Sequence, residues 1–545
     1  MPLVLPNPGR RQALMAMLAG ASLLGACTSA PLRGTGSAPA PTPAHQHAQA
    51  ELAQALGTAP LDAAARQRWL DRITWGQSDA SDAHLQQRGL PGWLAEQLYP
   101  DPAHFYALPG AAQAQIGAMR ISREAFAPMV LALEAQRQAA VALADTDAKR
   151  AAQRDYQQAL NQVLREAQRR FALRALYSPH QLLEQMTWFW MNHFNVNLRK
   201  ANLRALVGDY ENSAIRPHAL GRFRALLGAS LRHPAMLRYL DNANNAALRI
   251  NENYARELME LHTLGVGSGY TQADVQELAR VLTGLGISLR PLDAPPPRLR
   301  PQQQRQYLRA GLFEFNPARH DDGPKTLLGQ PLHQSGLAEV DEALDRLARA
   351  PATARFIARK LTIYFVADTP PPALVARVAE RFARSDGDIA ETLVALFTAP
   401  EFAASLGDKF RDPVHYAMAG VRLAYGERVI ANPEPLLGWM ARMGETLYGH
   451  ETPDGYPLTQ SAWASAGQMT TRFEIARILG ASGAVLFRTA PGEPLEQPPY
   501  PPLAASAVVQ AWQLSESTGA ALAQAQNRPA DWNSYLLSSP EMMRR

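Results

Sequence analysis

Ala, Leu, Arg, Gln and Glu dominate long stretches of this 545-residue chain, with apolar residues returning at helical spacing. These are good helix formers, and that periodicity predicts helices packed by one apolar face. The clearest runs are 112–134, 138–178, 218–232, 253–264, 272–283, 341–366, 372–384 and 388–398. Strand-like alternation is brief and rare. The expected fold class is therefore all-α: a large, bundle-like, multi-helix body with long loops. Residues 139–171 are so polar that they read as a long, largely exposed helical arm. Prolines 291, 295, 296, 297 and 301 exclude a helix over 288–301. This defines a proline-rich excursion at 286–310 between helical regions 51–285 and 311–545, expected to pack as one continuous body. A second proline cluster, 491–502, precedes an expected last helix over 503–526.

The single cysteine, Cys27, follows Leu23-Leu24-Gly25-Ala26 at the end of a short apolar run that starts after Arg10-Arg11. A basic start, an apolar core and small residues before a cut describe an export signal over 1–26. Small residues leading directly into cysteine are similar to a bacterial lipobox, so Cys27 is the expected lipidation site and mature N-terminus. Thr28 is not the acidic residue associated with inner-membrane retention. The expected location is thus the envelope, at the outer membrane facing the periplasm. The apolar run is too short for a retained membrane span. Arg10-Arg11 fits part of a twin-arginine signal without the rest of its pattern, so the export route stays open. Residues 27–50, rich in Pro, Ala, Ser, Thr and Gly, read as a flexible tether whose His45 and His47 are tether polarity.

Composition narrows the chemistry. The formal charge of +5 includes Arg10 and Arg11, leaving +3 beyond the signal, which gives no electrostatic case for nucleic acid. One cysteine allows no internal disulfide, and a lipidated thiol is unavailable for catalysis.

Polar residues concentrate in a few motifs. Asn192 and His193 stand among Trp188, Trp190 and Phe194, where they could orient a ligand or satisfy backbone groups in an aromatic core. In Arg216-Pro217-His218 the proline suits a first helical turn, placing His218 near a helix N-terminus and Arg216 where it could hold a carboxylate or phosphate. Glu252, Arg256 and Glu260 fall at four-residue steps and could form an ion-pair ladder. Asn253 and Glu257 share the neighbouring face. Glu257 and Glu260 could hold a divalent metal or divide acid and base roles. His262 lies roughly 200° around the helix from Glu260, so both could reach one metal only at a bent end. No His-Glu-x-x-His zinc motif is present. Three glycines at 265, 267 and 269 precede Thr271 and Asp274, the spelling of a capping box rather than a calcium loop. The loop from Phe313 to Lys325 carries His320, Asp321, Asp322 and Lys325, and could bind metal or substrate if it folds over Glu257; a solvated turn fits it equally. His450-Glu451 and Asp454 make a weaker cluster.

Taken in order, several stretches resemble one family: Trp188 to Asn195, Ile215 to Gly221, His233 to Met236 with Tyr239 to Asn242, Asn251 to Gly265, Gly269 to Gly284, and His320-Asp321 through Lys325 to Gly329. Asp71 to Gly76, Trp93 to Leu98, Pro351 to Phe356, Pro400 to Phe402 and Lys409 to Pro413 extend the likeness over about 65–480. The chain resembles the exported, mainly helical bacterial family catalogued as domain of unknown function 1800. It departs where Thr74-Trp75 replaces the more usual Thr-Phe. The resemblance implies export and an exported sulfatase-like partner, and no defined activity. Two functions follow as expectations. One is a lipid-anchored binding or assembly protein whose polar pocket combines His193, Arg216, Asn242, Glu257, Glu260 and His320, with Asn192, His218, Asn253, Arg256 and Lys325 touching ligand. The other is a metal-dependent hydrolase of envelope or extracellular polymers. There Glu257, His193 and Arg216 would be catalytic, and Glu257, Glu260, His320 and Asp321 would be the metal ligands.

Overall fold

The computed structural model describes residues 42–101, 107–488 and 500–545. The export signal, Cys27 and the start of the tether lie outside the described residues. The body is helical, as its composition dictates, and residues 43–545 form one compact unit around a continuous apolar core.

The tether ends sooner than expected. Pro43–Leu56 is a helix, because Ala48 and Leu52 fall on one face and are wholly buried, and Glu51 pairs with Arg381 at 2.6 Å. His45 and His47 therefore belong to a packed helix. The polar arm is a hairpin: Phe126–Ala142 and Thr146–Tyr177 pack together, and Asp145 caps the second helix through Ala148 N at 2.6 Å. The second helix is not largely exposed: Tyr156, Leu160, Val163, Leu164 and Ala167 are buried within the expected arm, and Arg170 to Tyr177 are all buried at its end. The run read as one helix over 341–366 is two, Leu337–Ala348 and Pro351–Phe365. Pro351 lacks the N–H to continue the first helix and pushes Ala350 into extended backbone, so it starts the second. Likewise the stretch 503–526 holds only a 3-10 turn, the short helix Ala507–Gln510 and the Ser515-capped helix Glu516–Gln524. A further helix, Pro529–Leu537, packs against Ala466–Ala481.

The capping box forms as its spelling requires: Asp274 N donates to Thr271 Oγ1 at 3.2 Å, and Thr271 N to Asp274 Oδ2 at 2.8 Å. Two helices contain π turns, Tyr210–Ile215 and Leu258–Thr263; in the second, Leu264 N reaches back to Met259 O at 2.8 Å. The extra residue of such a turn re-aims side chains and is common at functional sites.

Part of the loop expected from Phe313 onward is strand. Strand β1 (Leu285–Ile287) and strand β2 (Leu308–Ala310) flank strand β3 (Phe313–Phe315), all antiparallel, with Leu285 and Leu308 both opposite Phe315. The alternation that made Phe313 and Phe315 buried and Glu314 less so is only three residues long. A second pair, Thr326–Leu327 with Gln330–Pro331, closes the His320–Lys325 segment.

Candidate functional site

The carboxylate that Arg216 holds is one of the protein's own. Arg216 meets Glu184 of the Gln181–His193 helix, Nη2 to Oε1 at 2.5 Å, with Nε 3.2 and 3.3 Å from the two carboxylate oxygens. The side chains are 1% and 3% exposed, so the charge on Arg216 is matched inside the core. Glu184 was legible in principle: a carboxylate set between Leu183 and Met186 on an apolar helix requires a cation.

Lys325 and His320 are similarly committed. Lys325 Nζ lies 2.9 Å from Glu339 and also donates to the carbonyls of Asp321 and Gly323. His320 Nδ1–H donates to Thr283 O at 2.9 Å, and its Nε2 stands 3.2 Å from Glu339. Asp321 accepts a fork from Arg280 at 2.9 and 3.1 Å, which holds its carboxyl down to about 2. Asn242 ties β1 to the preceding helix by donating to Leu282 O and Leu285 O, and Asn253 donates to Leu240 O at 3.1 Å. His218 is half-buried at the end of the 3-10 turn Arg216–His218, rather than at the start of an α-helix, and burial lowers its imidazole below the ordinary value. Of the expected ladder, Arg256 meets Glu252 at 3.0 Å and adds Gln272 at 2.9 Å.

Among the described residues, no group of three or more His, Cys, Asp or Glu side chains is placed to hold a metal ion. Glu257 and Glu260 sit on the Asn253–Glu257 helix and its π turn, whereas His320 and Asp321 answer Glu339 and Arg280. The quartet expected to ligate metal is thus split: His320 and Asp321 are committed to Glu339 and Arg280, and form no metal-holding group with Glu257 and Glu260.

One constellation does come together, at the buried end of the Gln181–His193 helix. His193 Nε2–H donates to the carbonyl of His262 at 3.0 Å, which leaves Nδ1 as an acceptor. Lys360 Nζ, from the Pro351–Phe365 helix, occupies that acceptor at 3.0 Å and stands 5.7 Å from the Phe356 ring. Lys360 is half-buried, and burial pushes its ammonium down to about 8, with Asp454 opposing the shift. Burial, then the Lys360 charge, holds His193 well below its ordinary value and His262 at about 3. His262 is wholly buried, on the opposite side of its turn from half-buried Glu260, and neither ring nitrogen has a protein partner.

A polar rim surrounds this floor. Asn192 grips the 446–458 loop by both amide groups, donating to Tyr456 O at 2.9 Å and accepting from Tyr456 N at 2.6 Å. Asn195 holds the same loop at the carbonyls of His450 and Thr452. The loop carries Asp454, whose charge reaches both Lys360 and Glu257. Glu257 is half-buried, its carboxyl raised by burial and by the neighbouring Glu260 and Asp454. Of the expected site residues, His193 thus meets Lys360 and His262, Asn192 holds the loop that carries Asp454, and Glu257 with its neighbour Glu260 feels the Asp454 charge. Lys360 gave a weak signal: the chain has only five lysines among its 54 basic residues, and this one lies in an amphipathic helix. What the arrangement offers is an amine close to neutrality over neutral imidazoles, edged by carboxylates.

No curated protein and no solved structure matches this chain. A family model does, described as a protein of unknown function, DUF1800, and it spans residues 68–544, nearly the whole body and all the polar motifs from Asn192 to Asp454. The chain belongs to the DUF1800 family.

Proposed function

We propose that this protein is a lipid-anchored component of the bacterial envelope whose helical body is a binding and assembly module. Cys27 carries the anchor, and the rim of Glu257, Glu260 and Asp454 meets an exported partner, a sulfatase-like protein on the family resemblance. One observation carries this reading. The charged motif residues fall into two sets: Arg216, Lys325 and Asp321 are spent on ion pairs with Glu184, Glu339 and Arg280, whereas Glu257, Glu260 and Asp454 stay half-buried or exposed, with Glu260 and Asp454 close enough to raise the Glu257 carboxyl. Half-buried carboxylates held by a rigid scaffold suit recognition of a basic partner surface, where charge sets specificity and association rate.

The test is direct titration of the purified sulfatase-like partner against the wild type and the Glu257→Arg/Glu260→Arg variant. Binding that weakens tenfold or more in the variant, and weakens with added salt, supports the reading. Equal affinity, or no binding by the wild type, contradicts it.

A further inference from the structure

Lys360 differs from the other lysines in what it touches. Lys200, Lys325 and Lys409 each pair with a carboxylate, and Lys149 donates to the carbonyl of Val141. Of the five lysines, all among the described residues, Lys360 alone hydrogen-bonds a nitrogen, and no carboxylate is shown within ion-pair distance of it. Its acceptor cannot rotate away, because the other nitrogen of His193 is tied to the His262 backbone. Phe356 lies beside Nζ, and the Gly265 backbone closes on that ring, where a Cβ would come within 2.8 Å. Next to it the wholly buried His262 imidazole has no protein partner at either nitrogen. A half-buried amine with a fixed neutral acceptor, an aromatic wall and unused hydrogen-bonding capacity beside it is built for something other than an ion pair.

We propose that Lys360 is a covalent binding site for a carbonyl compound, an aldehyde or ketone such as the open-chain form of a reducing sugar, which it captures as an imine. The neutral Nζ lone pair attacks the carbonyl carbon, a C–N bond forms, and the C=O π pair moves to oxygen. The two hydrogens lost overall, one from Nζ and one from solvent, leave with that oxygen as water. Neutral amine, carbonyl and one proton thus become protonated imine and water. This step needs no partner protein and stands apart from the envelope role.

The groups facing Nζ favour the free amine. His193 and His262, from two other elements, are neutral, and the one facing anion, Asp454, lies on the exposed loop. On its own helix Arg355 and Arg359 are exposed. With burial setting Lys360 at about 8, about one molecule in ten carries the free amine at pH 7. An ordinary lysine does so in about one in three thousand.

The experiment exposes the full chain, in detergent, to glycolaldehyde with cyanoborohydride, which delivers hydride to the imine carbon and makes the label permanent. Peptide mass mapping then follows all five lysines across pH. The proposal expects Lys360 to label at least about tenfold faster than any other lysine at pH 7, with a rate that rises to half its maximum near pH 8. Lys360→Arg should remove that label and leave the other four sites unchanged. Labelling of Lys360 no faster than Lys149, or a rate that climbs only above pH 10, overturns it. Because the five sites are compared within one wild-type sample, the result stands even where the variant folds poorly.

Discussion

Glu184 and Arg216 set the energetic stakes for single residues. Both are almost wholly buried, so removing one charge strands the other in the core. Glu184→Gln should cost about 3–5 kcal/mol of unfolding free energy, read by urea denaturation, whereas replacing both with leucine should cost far less. His262 gives a second, pH-dependent case. Its folded value of about 3 lies below the ordinary 6.5, so the unfolded chain binds a proton between those values that the folded chain does not. The stability contributed by its neutral burial is complete above about 6.5 and is lost as pH falls toward 3. Between pH 7 and pH 5 the wild type should therefore lose about 2 kcal/mol more than His262→Leu. Comparing the two proteins isolates this group from Asp71, Glu211 and Glu445, whose carboxyls are raised by burial and act in the opposite sense. Equal pH dependence in the two proteins would contradict a neutral His262.

At the scale of elements, the loop over the site hangs on one glycine. Gly455 has φ +78°, and a Cβ there would lie 2.1 Å from Asn192 O, inside any tolerable contact. Gly455→Ala should break the Asn192–Tyr456 clamp, cost about 1–3 kcal/mol, and speed amide exchange over 446–458 while leaving the Gln181–His193 helix protected. A milder case is Thr271→Ala, which removes one half of the capping box and should cost about 1 kcal/mol in the same assay. Elements such as these show what could be read beforehand. Thr271 and Asp274 carry their cap in the local spelling, and so did most helices in their Ala- and Leu-rich periodicity. Pro351 was also visible, and its position at a helix start explains the break that periodicity alone ran across. Other features depend on distant contacts. Pro43–Leu56 is a helix because its apolar face is covered by the body, although its composition suits a tether. Glu184 and Arg216 lie 32 residues apart, and Lys360 lies 167 from His193. No local pattern announces such pairings, so Arg216 read as a ligand-holding residue and Lys360 drew no reading at all.

For the whole molecule, the charge distribution follows from where the body can afford ions. Arginine, with its fixed fork, supplies the buried cations that knit distant segments: Arg72 to the carbonyls of Phe365, Ser405 and Arg545, Arg411 to Asp71, and Arg472 to the carbonyl of Arg411. Without disulfides among the described segments, such forks and the apolar core are what hold the unit over 43–545 together. No helix among the described residues is long and apolar enough to cross a membrane. On this account the body is held at the envelope by Cys27, outside the described residues, and meets its partner through the rim around Glu257. The measurement that tests this most directly is alkyne-palmitate labelling and membrane fractionation of cells producing either the wild type or Cys27→Ser. The wild type should be labelled and in the membrane fraction, and the variant unlabelled and membrane-free with the same folded body. An unlabelled wild type, or a Cys27→Ser protein that still carries the lipid, would contradict it.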